Sequence, residues 1–160
     1  MRMLLLGLIF ALPTFSVAEE KRVYWKDTQS TDDLMCLAMN IYHEARGEPE
    51  HGMFAVGLVT MNRVASNRYP DTTCGVVWQT KRNPKTGKRV PQFSWTLDGR
   101  SDEIKDSESW LESVAMARIV FSLEAKDNTG ITHYHADYVN PWWSERLTKV
   151  ATVGRHIFYR

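Results

Sequence analysis

The 160-residue chain has little that would hold it in a membrane. Its longest purely apolar run, Met3 to Leu12, is ten residues, about half of what a bilayer-spanning helix needs. No cysteine follows that run closely, which argues against lipid attachment there. Neither sign of charge is in excess. Arg2 is the only charged residue before Glu19, which leaves 19 basic residues against 19 acidic ones beyond it. Nucleic-acid binding usually shows a basic excess, so that class has no support. Internal repeats and low-complexity tracts are also lacking, which removes solenoids and arrays. Cysteine is scarce, with only Cys36 and Cys74.

What is present at the N-terminus reads as an export signal. Met1 and Arg2 give a short positive start, Pro13 ends the apolar run, and Ser16-Val17-Ala18 places small residues where signal peptidase inspects them. Residues 1–18 are thus expected to be a signal peptide, an uncleaved anchor being the alternative. An exported chain with an even cysteine count favours a disulfide, two buried free thiols being the alternative. Residues 19–31 read as a polar N-terminal arm and 32–160 as one domain, a length that suits a single core.

Within that domain, Thr31-Asp32-Asp33 resembles a helix start, and Leu34, Leu37, Ala38, Ile41 and Ala45 recur at helical spacing. Gly47 can take a left-handed cap and Pro49 blocks continuation, so a first helix is expected over 32–46. Residues 50–65 are apolar nearly all round, which predicts a buried central helix, and Gly57 in it suggests close helix–helix approach. Val76-Val77-Trp78 suits a single helical turn. Asn83 to Gly87, amid five basic residues, marks a loop or hairpin tip. A third helix is expected from Ser107, with Ser109 and Glu112 as its capping box. Its apolar face is expected to carry Leu111, Val114, Ala115, Arg118, Phe121 and Ser122, widened by Trp110, Ala117 and Leu123, and its end to lie at 127–130. Residues 131–135 and 156–159 are β-prone, with a short helix near 143–149 between them. The six Trp, six Tyr and six Phe suit either an aromatic core or a groove that stacks on sugar rings.

Glu44 lies at the edge of the first apolar stripe. A half-desolvated carboxyl is pushed toward its protonated form, which is what a general acid needs. Residue spacing alone leaves a structural salt bridge with Arg46 or Arg63 open.

The strings Ile41-Tyr42-His43-Glu44-Ala45-Arg46-Gly47-Glu48, Met61-Asn62-Arg63-Val64, Gln92-Phe93-Ser94, His133-Tyr134-His135 and Gly154-Arg155-His156-Ile157-Phe158-Tyr159 resemble the catalytic domain of the spore-cortex-lytic family of cell wall hydrolases (the SleB/CwlJ type). The resemblance implies an α+β, predominantly helical, lysozyme-like single domain with a small antiparallel sheet in the C-terminal third. It implies Glu44 as the catalytic acid, with cleavage of peptidoglycan between N-acetylmuramic acid and N-acetylglucosamine. Some members act as lytic transglycosylases, a chemistry that needs one carboxyl. Glu48 is the possible second carboxylate. Gln92, Ser94, Tyr134 and His135 are candidates for binding substrate. No cofactor or metal is expected, and the place of action is the periplasm, cell wall or extracellular space.

The chain departs from the family in carrying His43 where Gly or Phe is common. It has Pro91 and Leu97 where further cysteines occur, which makes Cys36–Cys74 the natural sole pair. No separate peptidoglycan-binding repeat is visible, so wall affinity is expected from the domain itself or from partners. Two rivals remain at this point. One is a zinc-dependent peptidoglycan amidase or peptidase using His43, His51, His133 or His135, although Gly47 follows where the zincin helix pattern needs a histidine. The other is a non-catalytic wall-binding module, against which the retention of Glu44 weighs.

Overall fold

A computed structural model describes residues 17–123 and 129–160, with side chains described from residue 31 onward. The signal-peptide expectation falls almost wholly outside them. The elements in order are helices α1 (Val17–Ala45), α2 (Glu50–Val64) and α3 (Thr73–Val77), strands β1 (Thr80–Arg82) and β2 (Arg89–Pro91), helix α4 (Ser107–Ser122), and strands β3 (His133–Ala136), β4 (Lys149–Val153) and β5 (His156–Tyr159). Single 3-10 turns lie at Ser94–Leu97 and Ser144–Arg146. No helix among the described residues is long and apolar enough to cross a membrane.

The stripe on α1 behaves as its spacing predicts. Leu37, Ala38, Ile41 and Ala45 are buried, and they pack with Met53, Val56 and Val59 of α2, Ala117 and Val120 of α4, and Phe158 of β5. Full burial of each large aliphatic there is worth about 1.5–3 kcal/mol. α2 lies at the centre, and Gly57 is where its neighbours come closest. A methyl added there would sit 3.0 Å from Val120 Cγ2 and 3.2 Å from Ile41 Cδ1. Gly47 adopts φ 82° just beyond α1, the left-handed cap its position requires.

Three elements differ from expectation. α1 begins at Val17 rather than near residue 32. Residues 17–31 contain no Gly or Pro, so nothing stops the helix from running back through the expected arm, and the Thr31-Asp32-Asp33 signature falls inside it. α4 is capped by Asp106, whose carboxylate accepts from the N–H groups of Glu108 and Ser109, so Ser109 is not the cap. The buried face of α4 is Ser113, Ala117 and Val120, whereas Leu111 is 68% exposed. The expected face is right only in part: Ala117 is buried and Trp110, Val114 and Phe121 pack against the core, but Leu111, Ala115, Arg118 and Ser122 are exposed, because this helix is apolar on more than one side. It ends at Ser122, and residues 127 and 128 of the expected terminus lie outside the described residues. The short helix near 143–149 is only the 3-10 turn, and residues 149–153 pair as a strand.

The C-terminal sheet has the order β3-β5-β4, antiparallel throughout. It supplies the small sheet expected in the C-terminal third. β1 and β2 form a separate hairpin whose tip is held by Asn83 Oδ1 accepting the Lys85 and Thr86 N–H groups. A disulfide joins Cys36 of α1 to Cys74 of α3. The Asp33 carboxylate, accepting the Cys74 N–H at 2.8 Å, reinforces that junction.

Candidate active site

Glu44 occupies the last turn of α1, half buried, where the helix meets strand β3. The Tyr134 hydroxyl donates to Glu44 Oε2 at 2.9 Å. Arg63, at the end of α2, is 6% exposed and donates through Nε to the Thr132 carbonyl at 2.8 Å. Its guanidinium lies 5.0 Å from the Phe93 ring centre and 5.4 Å from that of Tyr69. Asn62 donates to the Ile131 carbonyl at 3.0 Å. The paired polar end of α2 therefore grips the chain entering β3 and sets where Tyr134 meets Glu44.

Burial raises the Glu44 pKa. The Tyr134 hydrogen bond and the nearby Arg63 charge pull the other way without cancelling that rise. Burial and the adjacent Glu44 hold Tyr134 well above the usual phenol value, so the phenol keeps its proton and remains a donor. A protonated carboxyl beside a permanent donor and a buried cation is able to release a proton and then tolerate the charge left behind.

These groups line a groove of about 520 Å³ together with Gln92, Ser94, His135, Tyr138 and His156. Among the described residues that line it, Glu44 is the only carboxylate. The wall carrying Gln92 and Ser94 is fixed from beneath. Phe93 and Trp95 alternate inward and are buried. Trp95 Nε1 donates to Asn40 Oδ1 at 3.0 Å, and Asn40 in turn donates to Thr60 at 3.1 Å. This buried chain of polar groups ties the wall to α1 and α2.

The expected substrate-binding residues divide in two. Gln92 and Ser94 line the groove, with Ser94 exposed. Tyr134 is engaged by the acid itself. His135 also faces the groove, but its Nε2 is bonded to the Tyr159 hydroxyl at 2.9 Å and its Nδ1 lies 2.9 Å from the Ala136 carbonyl. Glu48 does not reach the groove. It accepts the Arg155 N–H at 3.0 Å beneath the β4–β5 turn. Among the described residues no three His, Cys, Asp or Glu side chains gather as a metal site would need. His133 sits beside Thr132, with its pKa lowered to about 4 by burial and by the charges of Arg63, Arg68 and Lys81.

Sequence reasoning missed three contributors. Tyr138, 75% exposed at the groove, stands in a turn and lacks any periodic signature. Arg63 was legible as a possible ion-pair partner of Glu44, but not as the residue that anchors the chain entering β3. His43 stacks on Trp95 with ring centres 4.4 Å apart, and it was legible only as a departure from the family pattern and as a candidate metal ligand.

Comparison with known proteins gives concordant results. A family described as Cell Wall Hydrolase matches residues 47–159, beginning three residues after Glu44. The spore cortex-lytic enzyme of Oceanobacillus iheyensis is 29% identical over 133 residues, covering 81% of this chain and 42% of that protein. The Bacillus subtilis (strain 168) spore cortex-lytic enzyme is 40% identical over 129 residues, covering 81% and 38%. The chain thus spans about two fifths of the length of these curated relatives. Among solved structures, the catalytic domain of the germination-specific lytic transglycosylase SleB from Bacillus anthracis superposes with a TM-score of 0.59 at 26% identity, covering 80% of this chain and 93% of that one. The Bacillus cereus SleB catalytic domain gives 0.58 at 25%, covering 81% and 91%.

Proposed function

The chain belongs to the cell wall hydrolase family, and from that premise we propose that it cleaves the glycan strands of peptidoglycan between N-acetylmuramic acid and N-acetylglucosamine, as a lytic transglycosylase acting outside the cytoplasm. The observation that carries this reading is the lone carboxyl of the groove, Glu44, raised in pKa and held by Tyr134. Protonated Glu44 gives its proton to the glycosidic oxygen as the bond from the muramic C1 breaks. Positive charge then develops on the ring. The Glu44 carboxylate next accepts the proton of the muramic 6-hydroxyl as that oxygen bonds to C1, which closes a 1,6-anhydro ring and restores the acid. One residue performs both transfers, whereas hydrolysis by the usual glycosidase route uses two carboxyl groups. Arg63 and Tyr134 stabilise the intervening carboxylate. Gln92 and Ser94 bond the acetamido and hydroxyl groups of the sugar, and Tyr138 offers a ring face for stacking.

The decisive experiment digests purified sacculi with the wild-type chain and with Glu44→Gln and weighs the products by mass spectrometry. Wild type is expected to release anhydro-muropeptides. Glu44→Gln is expected to be slower by about 10²–10⁴, the usual contribution of a positioned general acid. Full activity in the variant overturns the assignment of Glu44. Reducing-end products overturn the transglycosylase route.

A further inference from the structure

A second cavity of about 630 Å³ adjoins the groove and shares His43 and Ser94 with it. Its chemistry is unlike that of the groove. Three cationic side chains, Arg46, Arg100 and Lys105, and three acidic ones, Asp98, Asp102 and Glu103, surround it. Arg46 donates to the Tyr42 hydroxyl at 3.0 Å and lies over that ring, and Asp98 accepts the Arg100 N–H. One wall is irregular chain, yet it is tethered. The Tyr42 hydroxyl accepts the N–H groups of Lys105 and Asp106, each at 3.2 Å, fixing that wall to α1 two residues before Glu44. At the junction of the two cavities stands His43, whose Nε2 is buried and has no hydrogen-bond partner.

A sugar polymer carries few charges, and this cavity has six charged side chains of both signs. We propose that it binds the peptide stem borne by muramic acid, a short peptide with free carboxylates and an ammonium group, so that the enzyme prefers peptide-bearing strands to denuded ones. The stem leaves the muramic ring through its lactyl ether. A muramic residue seated at Glu44 would send that substituent past His43, which lines both cavities. The basic side chains then pair with the stem carboxylates, and the acidic ones with its ammonium. The inference rests on the glycan-cleaving reading above and adds a substrate determinant to it.

The test titrates N-acetylmuramoyl-L-alanyl-D-glutamyl-meso-diaminopimelate and N-acetylmuramic acid separately into the full chain carrying Glu44→Gln, which prevents turnover. Two or three solvent-screened ion pairs predict about tenfold tighter binding of the peptide-bearing ligand. Adding Arg100→Ala and Lys105→Ala should bring the two affinities together, with circular dichroism confirming the fold. Equal affinities before that change, or a preference that survives it, overturn the proposal. A parallel digestion compares peptide-bearing strands with strands stripped by an amidase. Faster cleavage of peptide-bearing strands supports the proposal, and equal rates overturn it. If the binding preference is found while neither substrate is cut, the cavity assignment stands and the cleavage reading falls.

Discussion

Removing the Cys36–Cys74 bridge should weaken the fold by an amount set mainly by the loop it closes. The two cysteines are 38 residues apart, and the chain-entropy cost of closing such a loop in the unfolded state is about 4 kcal/mol at 25 °C. That loop contains all of α2, so the unfolded chain gains much freedom when the bridge is lost. The native junction keeps its other tether, the Asp33 carboxylate on the Cys74 N–H, so the folded geometry should change little. The assay is urea unfolding of the chain from residue 19 onward, followed by far-UV circular dichroism, for the oxidised protein and for Cys36→Ser/Cys74→Ser. With a slope of about 2 kcal/mol/M, ordinary for a domain of this size, the midpoint should fall by roughly 2 M. A fall of less than about 0.3 M at unchanged slope refutes the loop argument.

Three further outcomes follow from the site and the core. Glu44→Gln should melt at higher temperature than wild type at neutral pH. The raised native pKa means that the stability contributed by protonated Glu44 is complete below its ordinary value of 4.5 and is lost as pH rises through the native value. The two proteins should therefore converge below about pH 4, and a gap that persists there contradicts the burial argument. Tyr134→Phe removes a bond that favours the carboxylate, so the alkaline limb of the kcat/KM profile should move to higher pH while kcat falls; an unmoved limb separates Tyr134 from the acid. Gly57→Ala gains about 1 kcal/mol of helix propensity against about 1–3 kcal/mol of overpacking on Val120 and Ile41. The net loss should be about 1 kcal/mol, partly rescued in Gly57→Ala/Val120→Ala, and strict additivity by denaturant titration would rule out the contact.

The parts of the fold legible in the sequence were those where one signal dominated. The α1 stripe, the all-round apolar α2 and the Gly47-Pro49 boundary each had a single reading. The face of α4 did not, because Leu111 and Ile119 make an exposed side as apolar as the buried one. β4 was hidden because Lys149 to Val153 forms an edge strand with no clear alternation in its sequence. The site shows a similar division. Glu44 comes together with Gln92 and Ser94 from two separate strings, and family resemblance led to them. Helical spacing placed Glu44 at an apolar edge but carried no information on its partner, since Tyr134 arrives from 90 residues away. Glu48 was drawn in by its nearness in sequence, yet its bond to the backbone of Arg155 lies 107 residues along the chain.

That bond bears on the stereochemical course open to the enzyme. The left-handed step at Gly47 turns the chain between two glutamates that a continuous helix would have placed one above the other, and Glu48 is left clasping the β4–β5 turn. Retaining and inverting glycosidases alike place two carboxyl groups about the scissile bond, and Glu48, held on the Arg155 N–H, is not among the residues that line the groove. An engineer seeking to turn this groove toward inversion would have to place a base on the facing wall, at Gln92 or Ser94. Ser94→Asp, exposed and carried on the Trp95–Asn40 support, is the substitution from which to begin.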